Sequence, residues 1–188
     1  MEDISDKKKA IFESTLALIK EHGFHGTPMS LVAKNAGVAA GTIYHYFESK
    51  DQLINDLYQY CRTMLIELVN PIVAESASYK EKFFNIWMCI FEFYTQHMNV
   101  LVFFEQYINS PYYADKNPDH LQDKPLHNFL VEGVKKGVIK SVKPEILLLL
   151  IHGSITSSVK LNSFGNIRLN KNDFKKITEI LWDGIAVS

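Results

Sequence analysis

The sequence predicts an all-α protein, with an N-terminal three-helix helix-turn-helix domain followed by a longer C-terminal helical domain. Three observations lead there. Apolar residues recur at helical spacing in segment after segment. No stretch shows the strict alternation of a strand, and no internal repeat is visible. Residues 27 to 50 have the punctuation of two short helices joined by a tight turn and followed by the start of a long one.

The chain has 188 residues, enough for a sizeable core. Its 47% hydrophobic and 22% charged residues argue against disorder. Aromatic residues, 12 Phe and 9 Tyr among them, point to a bulky core or a ligand cavity. The formal net charge is −1. In the first fifty residues, lysines 7, 8, 9, 20, 34 and 50 balance acids 2, 3, 6, 13, 21 and 48. A DNA-reading role therefore requires positive charge placed on one face rather than present in excess.

The first helix is expected over residues 5 to 22. Phe12, Leu16 and Ile19 form one row, with Ile11, Thr15 and Leu18 beside it. Gly23 suits a left-handed helix stop, after which Phe24 packs back on the last turn. Lys7, Lys8 and Lys9 sit where the helix dipole disfavours cations, so either solvent or another partner holds them. The second helix starts with Thr27 as N-cap and Pro28 at its first position. Met29, Val32 and Ala33 face inward, Gly37 turns the chain and Val38 plugs the crossing.

The third helix covers about residues 40 to 47. Ile43 and Phe47 point inward, leaving Thr42, Tyr44, His45 and Tyr46 on or near the outer face, which marks a contact surface. The fourth helix begins at Ser49, with Gln52 at capping-box spacing. Its inner face is Leu53, Ile54, Leu57, Cys61, Met64, Leu65 and Leu68, and Asn70-Pro71 is expected to end it.

An aromatic helix over residues 79 to 96 is apolar on more than one side, so it lies deep. A shorter segment over 100 to 108 carries Glu105 in its middle. Residues 110 to 124, with Pro111 and Pro118, read as a loop. Asp123 or Lys124 caps a helix from Pro125 to about residue 136, which Gly137 ends. Pro144 starts a strongly apolar helix to about residue 161, and residues 162 to 172 are turn-like. Phe174, Ile177, Ile180, Leu181 and Ile185 describe a last amphipathic helix, making about nine in all.

No catalytic constellation is present. A Gly-x-Ser-x-Gly elbow and a phosphate-binding glycine loop are both absent, so no enzymatic activity is expected. The seven histidines (22, 25, 45, 97, 120, 127 and 152) show no metal-ligand pattern, and no metal or cofactor is expected. His152 reads as a hydrogen-bonded interface residue. Cys61 and Cys89 read as buried free thiols of a cytoplasmic protein. The N-terminus shows no signal peptide, and the apolar run over residues 146 to 151 is too short to span a bilayer.

Ala33, Ala36-Gly37-Val38, Gly41-Thr42-Ile43-Tyr44, Tyr46-Phe47 and Lys50 together resemble, without a gap, the DNA-binding segment of the TetR/AcrR family of bacterial repressors. Phe91-Glu-Phe-Tyr94, the residues 132 to 139, the helix from Pro144 and the residues 180 to 185 resemble positions of that family's regulatory domain. The resemblance implies a DNA-binding domain over residues 1–48 and a ligand-binding and dimerisation domain over 49–188. It implies a homodimer, joined through the last two helices, that binds double-stranded DNA at a palindromic operator and is released by a small hydrophobic or aromatic effector. By analogy Thr42, Tyr44 and His45 reach bases or nearby phosphates, while Thr27, Tyr46 and Lys50 hold the backbone. Two positions depart from the pattern. Ala39 replaces a capping hydroxyl, a loss of ~1 kcal/mol, and Ala40 replaces a base-reading side chain, which shifts weight to methyl contacts and DNA shape.

Trp87, Phe91, Tyr94, Phe104, Glu105, Tyr107 and Phe129 form either a packed core or, as the resemblance implies, the wall of an effector pocket. Glu105 is paired, exposed at an edge or turned to a cavity. The alternative reading of the whole chain is a helical small-molecule-binding dimer with a degenerate DNA-binding motif.

Overall fold

The computed structural model describes residues 5–114, 125–165 and 168–187. These fold into ten helices: α1 (Asp6–His22), α2 (Met29–Asn35), α3 (Ala40–Tyr46), α4 (Lys50–Ala74), α5 (Tyr79–Gln96), α6 (Met98–Ile108), α7 (Pro111–Ala114), α8 (Pro125–Lys135), α9 (Pro144–Phe164) and α10 (Lys171–Ile185). The helix beyond the expected nine is α7. Pro111 supplies its fixed first residue inside the stretch expected to be a loop. The rest of that stretch from residue 115, with His120 and the expected caps Asp123 and Lys124, lies outside the described residues.

The chain separates into two compact units that share α4. One comprises Met1–Arg62 and His97–Lys116, the other Thr63–Gln96 and Asn117–Ser188. The expected border at residues 48 and 49 falls inside the first unit.

In the first unit α1 packs on α2 and α6, and α2 on α3. Every member of the two α1 rows, from Ile11 to Ile19, is buried. Gly23 takes φ +67° and its N–H closes α1 on the Ile19 carbonyl at 2.9 Å. The Phe24 ring meets Phe103 and Tyr112, at 6.0 and 5.2 Å between centroids. α4 buries Leu53, Ile54, Leu57 and Cys61 as expected, and also Tyr58. The Ser49 hydroxyl accepts the Gln52 N–H at 3.2 Å. The Gln52 side chain reaches past Ser49 to the Glu48 N–H at 2.7 Å.

In the second unit α4 does not stop at Asn70-Pro71 but runs to Ala74 with Pro71 inside it. Proline removes a single N–H there, and the carbonyl it would have met belongs to Glu67, which is exposed to water. α5 packs against α9 and α10, and α8 against α9. A capping box starts α5, with Ser78 N–H donating to Glu81 Oε2 (2.9 Å) and Glu81 N–H to Ser78 Oγ (3.2 Å). α9 continues to Phe164, and Asn170 and Asp173 form a capping box that opens α10. Both ends intrude on the expected 162-to-172 turn. After Gly137, at φ +68°, the chain forms one antiparallel bridge between Ile139 and Ala186.

α9 is long and apolar enough, by length and composition, to cross a membrane, and it is the one described helix of which this is true. Its apolar character is lopsided, however. Leu147, Ile151, Ile155 and Val159 are buried, while Ile146, Leu149, Leu150, Leu161 and Phe164 form an exposed stripe interrupted by Gly153 and Ser157. That pattern suits a protein surface on one side better than lipid all round.

Candidate nucleic-acid interface

Residues 29 to 46 form two short helices whose inner faces close on α1. Val32, Ala33, Ile43 and Phe47 are buried, and the Phe12 ring lies 5.6 Å from that of Phe47. The Ser14 hydroxyl donates to the Val32 carbonyl at 3.1 Å, fixing α2 to α1. Gly37 adopts φ +67°, the left-handed turn that a residue with a Cβ enters only at a cost. Ala39 occupies the N-cap of α3 in extended conformation and, having no hydroxyl, leaves the helix without a side-chain cap.

What remains outside is the candidate recognition surface. Tyr44 is 56% exposed. His45 is exposed beside it, with its ring 5.6 Å from that of Tyr46. Thr42 is half-buried, and its backbone N–H is spent on the Ala39 carbonyl at 2.9 Å. Tyr46 is half-buried, and its phenol accepts a hydrogen bond from Ser5 Oγ at 3.1 Å, which holds the start of α1 beside the end of α3. Gly41 joins this group. A Cβ there would meet nothing within 4 Å, so the fold gives no reason for glycine in a helix where it costs roughly 0.5–1 kcal/mol against alanine.

Two expected backbone contacts are placed differently. Thr27 is 2% exposed and donates its hydroxyl to the Gly23 carbonyl at 2.8 Å. Pro28, not Thr27, is the N-cap of α2. Lys50 is half-buried and its ammonium donates to the Phe24 carbonyl. Burial pushes its pKa below the ordinary lysine value, and Asp51 partly offsets this. An ammonium has three donors, so two remain for a phosphate.

The lysines at the start of α1 also divide. Lys8 pairs with Asp56 at 3.5 Å and lies over the rings of Phe12 and Phe47, at 5.6 and 5.4 Å from their centroids. That is the partner the helix dipole did not provide. Lys7, Lys9 and Lys34 are exposed, so the positive charge available to DNA is sparse.

The seven aromatic and acidic candidates fall into both units. In the second unit Trp87 is fully buried, donates Nε1–H to Ser154 Oγ at 2.9 Å and stacks on Phe91 at 5.5 Å. Phe91 touches Phe174 at 4.3 Å, Tyr94 lies edge-on to His152 at 6.0 Å, and Phe129 stacks on Tyr79 at 4.9 Å. In the first unit Tyr107 stacks on Tyr58 at 4.4 Å, and Phe104 meets Tyr58 edge-on at 5.8 Å. Burial drives the Tyr107 phenol up to about 12, with Tyr58 and Tyr113 adding to it. Glu105 is half-buried and lines a cleft with Asp51, Asn55 and Gln106, none of which stood out in the sequence. Among the described residues no group of His, Cys, Asp and Glu is placed to hold a metal ion.

Comparison with known proteins agrees with this geometry. A family model described as bacterial regulatory proteins, tetR family, matches residues 11–57. A second, described as tetracyclin repressor-like, C-terminal domain, matches residues 78–186. An HTH-type transcriptional regulator of Haemophilus influenzae is 27% identical over 186 residues, covering 96% of each chain. The fatty acid metabolism regulator protein of Bacillus subtilis is 37% identical over 76 residues, 40% of this chain and 39% of that one. Among solved structures, a TetR-family transcriptional regulator from H. influenzae superposes with a TM-score of 0.82 at 25% identity, covering 100% of both chains. FadR from B. subtilis in complex with stearoyl-CoA shares the fold, with a TM-score of 0.71 at 22% identity, covering 93% of this chain and 95% of that one.

Proposed function

This chain belongs to the TetR family of bacterial transcriptional regulators, and from that premise we propose that it is a ligand-responsive repressor acting in the cytoplasm. The observation that carries the reading is the outer face of α3, where Tyr44 and His45 are exposed, Thr42 is half-buried and Gly41 borders open space. In this reading the DNA-reading domain is residues 1–48 and the regulatory domain 49–188. Thr42, Tyr44 and His45 enter the major groove. There Tyr44 packs on a thymine methyl or bonds a phosphate, and the Thr42 hydroxyl meets a phosphate oxygen. Lys50 offers its remaining protons to a phosphate. Tyr46 sets the helix end, and Thr27 braces the turn from inside.

Two copies act together, joined by the exposed apolar stripe of α9 and by Ile180 of α10, and read half-sites about 34–36 Å apart on a palindromic operator. A small hydrophobic or aromatic effector releases the DNA by favouring a conformer with another spacing, which demands that it bind that conformer more tightly. Within the second unit, Trp87, Phe91, Tyr94 and Phe129 are the residues proposed to face it. The B. subtilis FadR structure, in complex with stearoyl-CoA, is an instance of this fold holding a molecule with a long acyl chain.

The test is selection of binding sites from random duplex DNA, followed by a salt series on the enriched sequence. A palindrome should emerge, and its affinity should fall steeply with salt, with a slope set by few phosphate contacts. Failure to enrich any sequence at low salt would leave the alternative, a small-molecule-binding dimer with an inactive motif.

A further inference from the structure

A cleft of about 780 Å³ opens in the first unit, away from the face of α3. The chain after α1, the first turns of α4, and α6 with α7 wall it. The volume suits a small organic molecule, for which pockets of roughly 300–1,000 Å³ are usual. Its apolar side is the Phe24–Tyr112 ring pair with Val102 and Pro111.

The polar side carries the Asp51 and Glu105 carboxylates beside the imidazoles of His22 and His25, and no lysine or arginine lines the cleft. The neighbouring ammonium, that of Lys50, is turned to the Phe24 carbonyl. Among the described residues Asp51 forms no ion pair within 4.0 Å. Gln106 Nε2 spends one proton on the Ile19 carbonyl at 3.2 Å and Asn109 Nδ2 one on the Glu105 carbonyl at 2.9 Å. Asn55, also in the wall, has a buried Oδ1 with no hydrogen-bond partner. The cleft therefore offers acceptors, negative charge and aromatic faces to a ligand that supplies donors and positive charge.

We propose that this cleft binds an organic ammonium ion, one or two amine groups on a short apolar stem. Carboxylates take an ammonium through charge-assisted hydrogen bonds, and the ring faces of Phe24 and Tyr112 attract the same charge. A bare metal ion fits less well, because the described His, Cys, Asp and Glu residues nowhere converge in a group of three. The proposal does not rest on operator recognition, and its test requires no DNA.

The test is calorimetric titration of the full chain with cadaverine and with hexylamine, using hexanoate as the oppositely charged control. The amines should bind saturably at one site per chain, and hexanoate should give no saturable heat. Asp51→Asn should raise the amine Kd by about tenfold or more. Asn109→Lys, which places the protein's own ammonium at the rim, should abolish binding. Circular dichroism melts establish that each variant folds, and if Asp51→Asn melts early, Asn109→Lys decides alone. The proposal is overturned if the intact chain takes up neither amine, if hexanoate binds as well as they do, or if folded variants keep the wild-type affinity.

Discussion

Changing Ile180 to lysine tests the assembly on which operator reading rests. Ile180 is 72% exposed on α10, and Leu149 and Phe164 are each 71% exposed on α9. Fully burying an aliphatic side chain of this size contributes about 1.5–3 kcal/mol. Association that covers the exposed part of Ile180 is thus worth about 1–2 kcal/mol per protomer. A two-fold interface counts it twice, giving about 2–4 kcal/mol per dimer. The lysine stem recovers part of this by lying along the surface, but its ammonium must stay hydrated, which spreads the interface. The dimer Kd should rise by roughly 30- to 700-fold. Sedimentation velocity over a dilution series reads this directly. Ile108→Lys is the control, since Ile108 is 53% exposed on α6, outside the stripe, and its variant should keep the wild-type mass. A dimer of Ile180→Lys that survives dilution as well as wild type would place the interface elsewhere.

Further expectations follow from single residues. Ala39→Ser should supply the missing cap of α3 and raise stability by ~1 kcal/mol, read as a higher urea midpoint at unchanged slope; no shift would mean that the α3 start is already satisfied. Tyr44→Ala should weaken operator binding without altering dimer mass, because more than half of the side chain is exposed; equal affinity in fluorescence anisotropy would remove it from the reading face. Tyr107 has its folded pKa raised to about 12 from the ordinary 10.0. Its contribution is present in full below pH 10 and is lost as pH rises toward 12, so alkaline unfolding should shift to higher pH in Tyr107→Phe, and an identical alkaline transition would rule the phenol out. Burial holds Cys61 near 12 and raises half-buried Cys89 less. A disulfide reagent should therefore label Cys89 in the native protein and Cys61 only on unfolding, and prompt labelling of both would show that α4 opens locally.

The helices were legible wherever periodicity and punctuation agreed. The Phe12 rows, the span of α5 and the left-handed glycines 23 and 137 all follow from residue type and spacing. Departures arise where a local rule competes with tertiary contacts. Asn70-Pro71 reads as a stop, yet a proline four residues from a helix end costs one hydrogen bond at a solvated carbonyl, and the helix continues. Thr27 has the chemistry of a cap or a phosphate ligand, but its hydroxyl finds the Gly23 carbonyl first. Lys8 looks like a solvated cation, because nothing in the sequence brings Phe47 and Asp56 to it. Tyr58 stacking on Tyr107, and α6 lying on α1, join residues far apart in the chain, which no local pattern reports. The outer face of α3 was readable for the opposite reason, since its aromatic residues contradict the pattern of a helix that only packs.

The Phe12 ring touches Phe47 at the end of α3 and, at 4.9 Å, Tyr60 in the third turn of α4. One side chain thus stitches the reading helix to a segment beyond the motif. For recombination, natural or engineered, the reading head is not a cassette that ends where its motif ends. A graft cut at residue 48 would strand Phe12 and the Lys8–Asp56 pair. One cut after Arg62 would keep both, but would still leave the end of α1 without Gln106 and Phe103. Exchange of specificity between such regulators should therefore proceed by substitution on the α3 face, with the scaffold inherited whole.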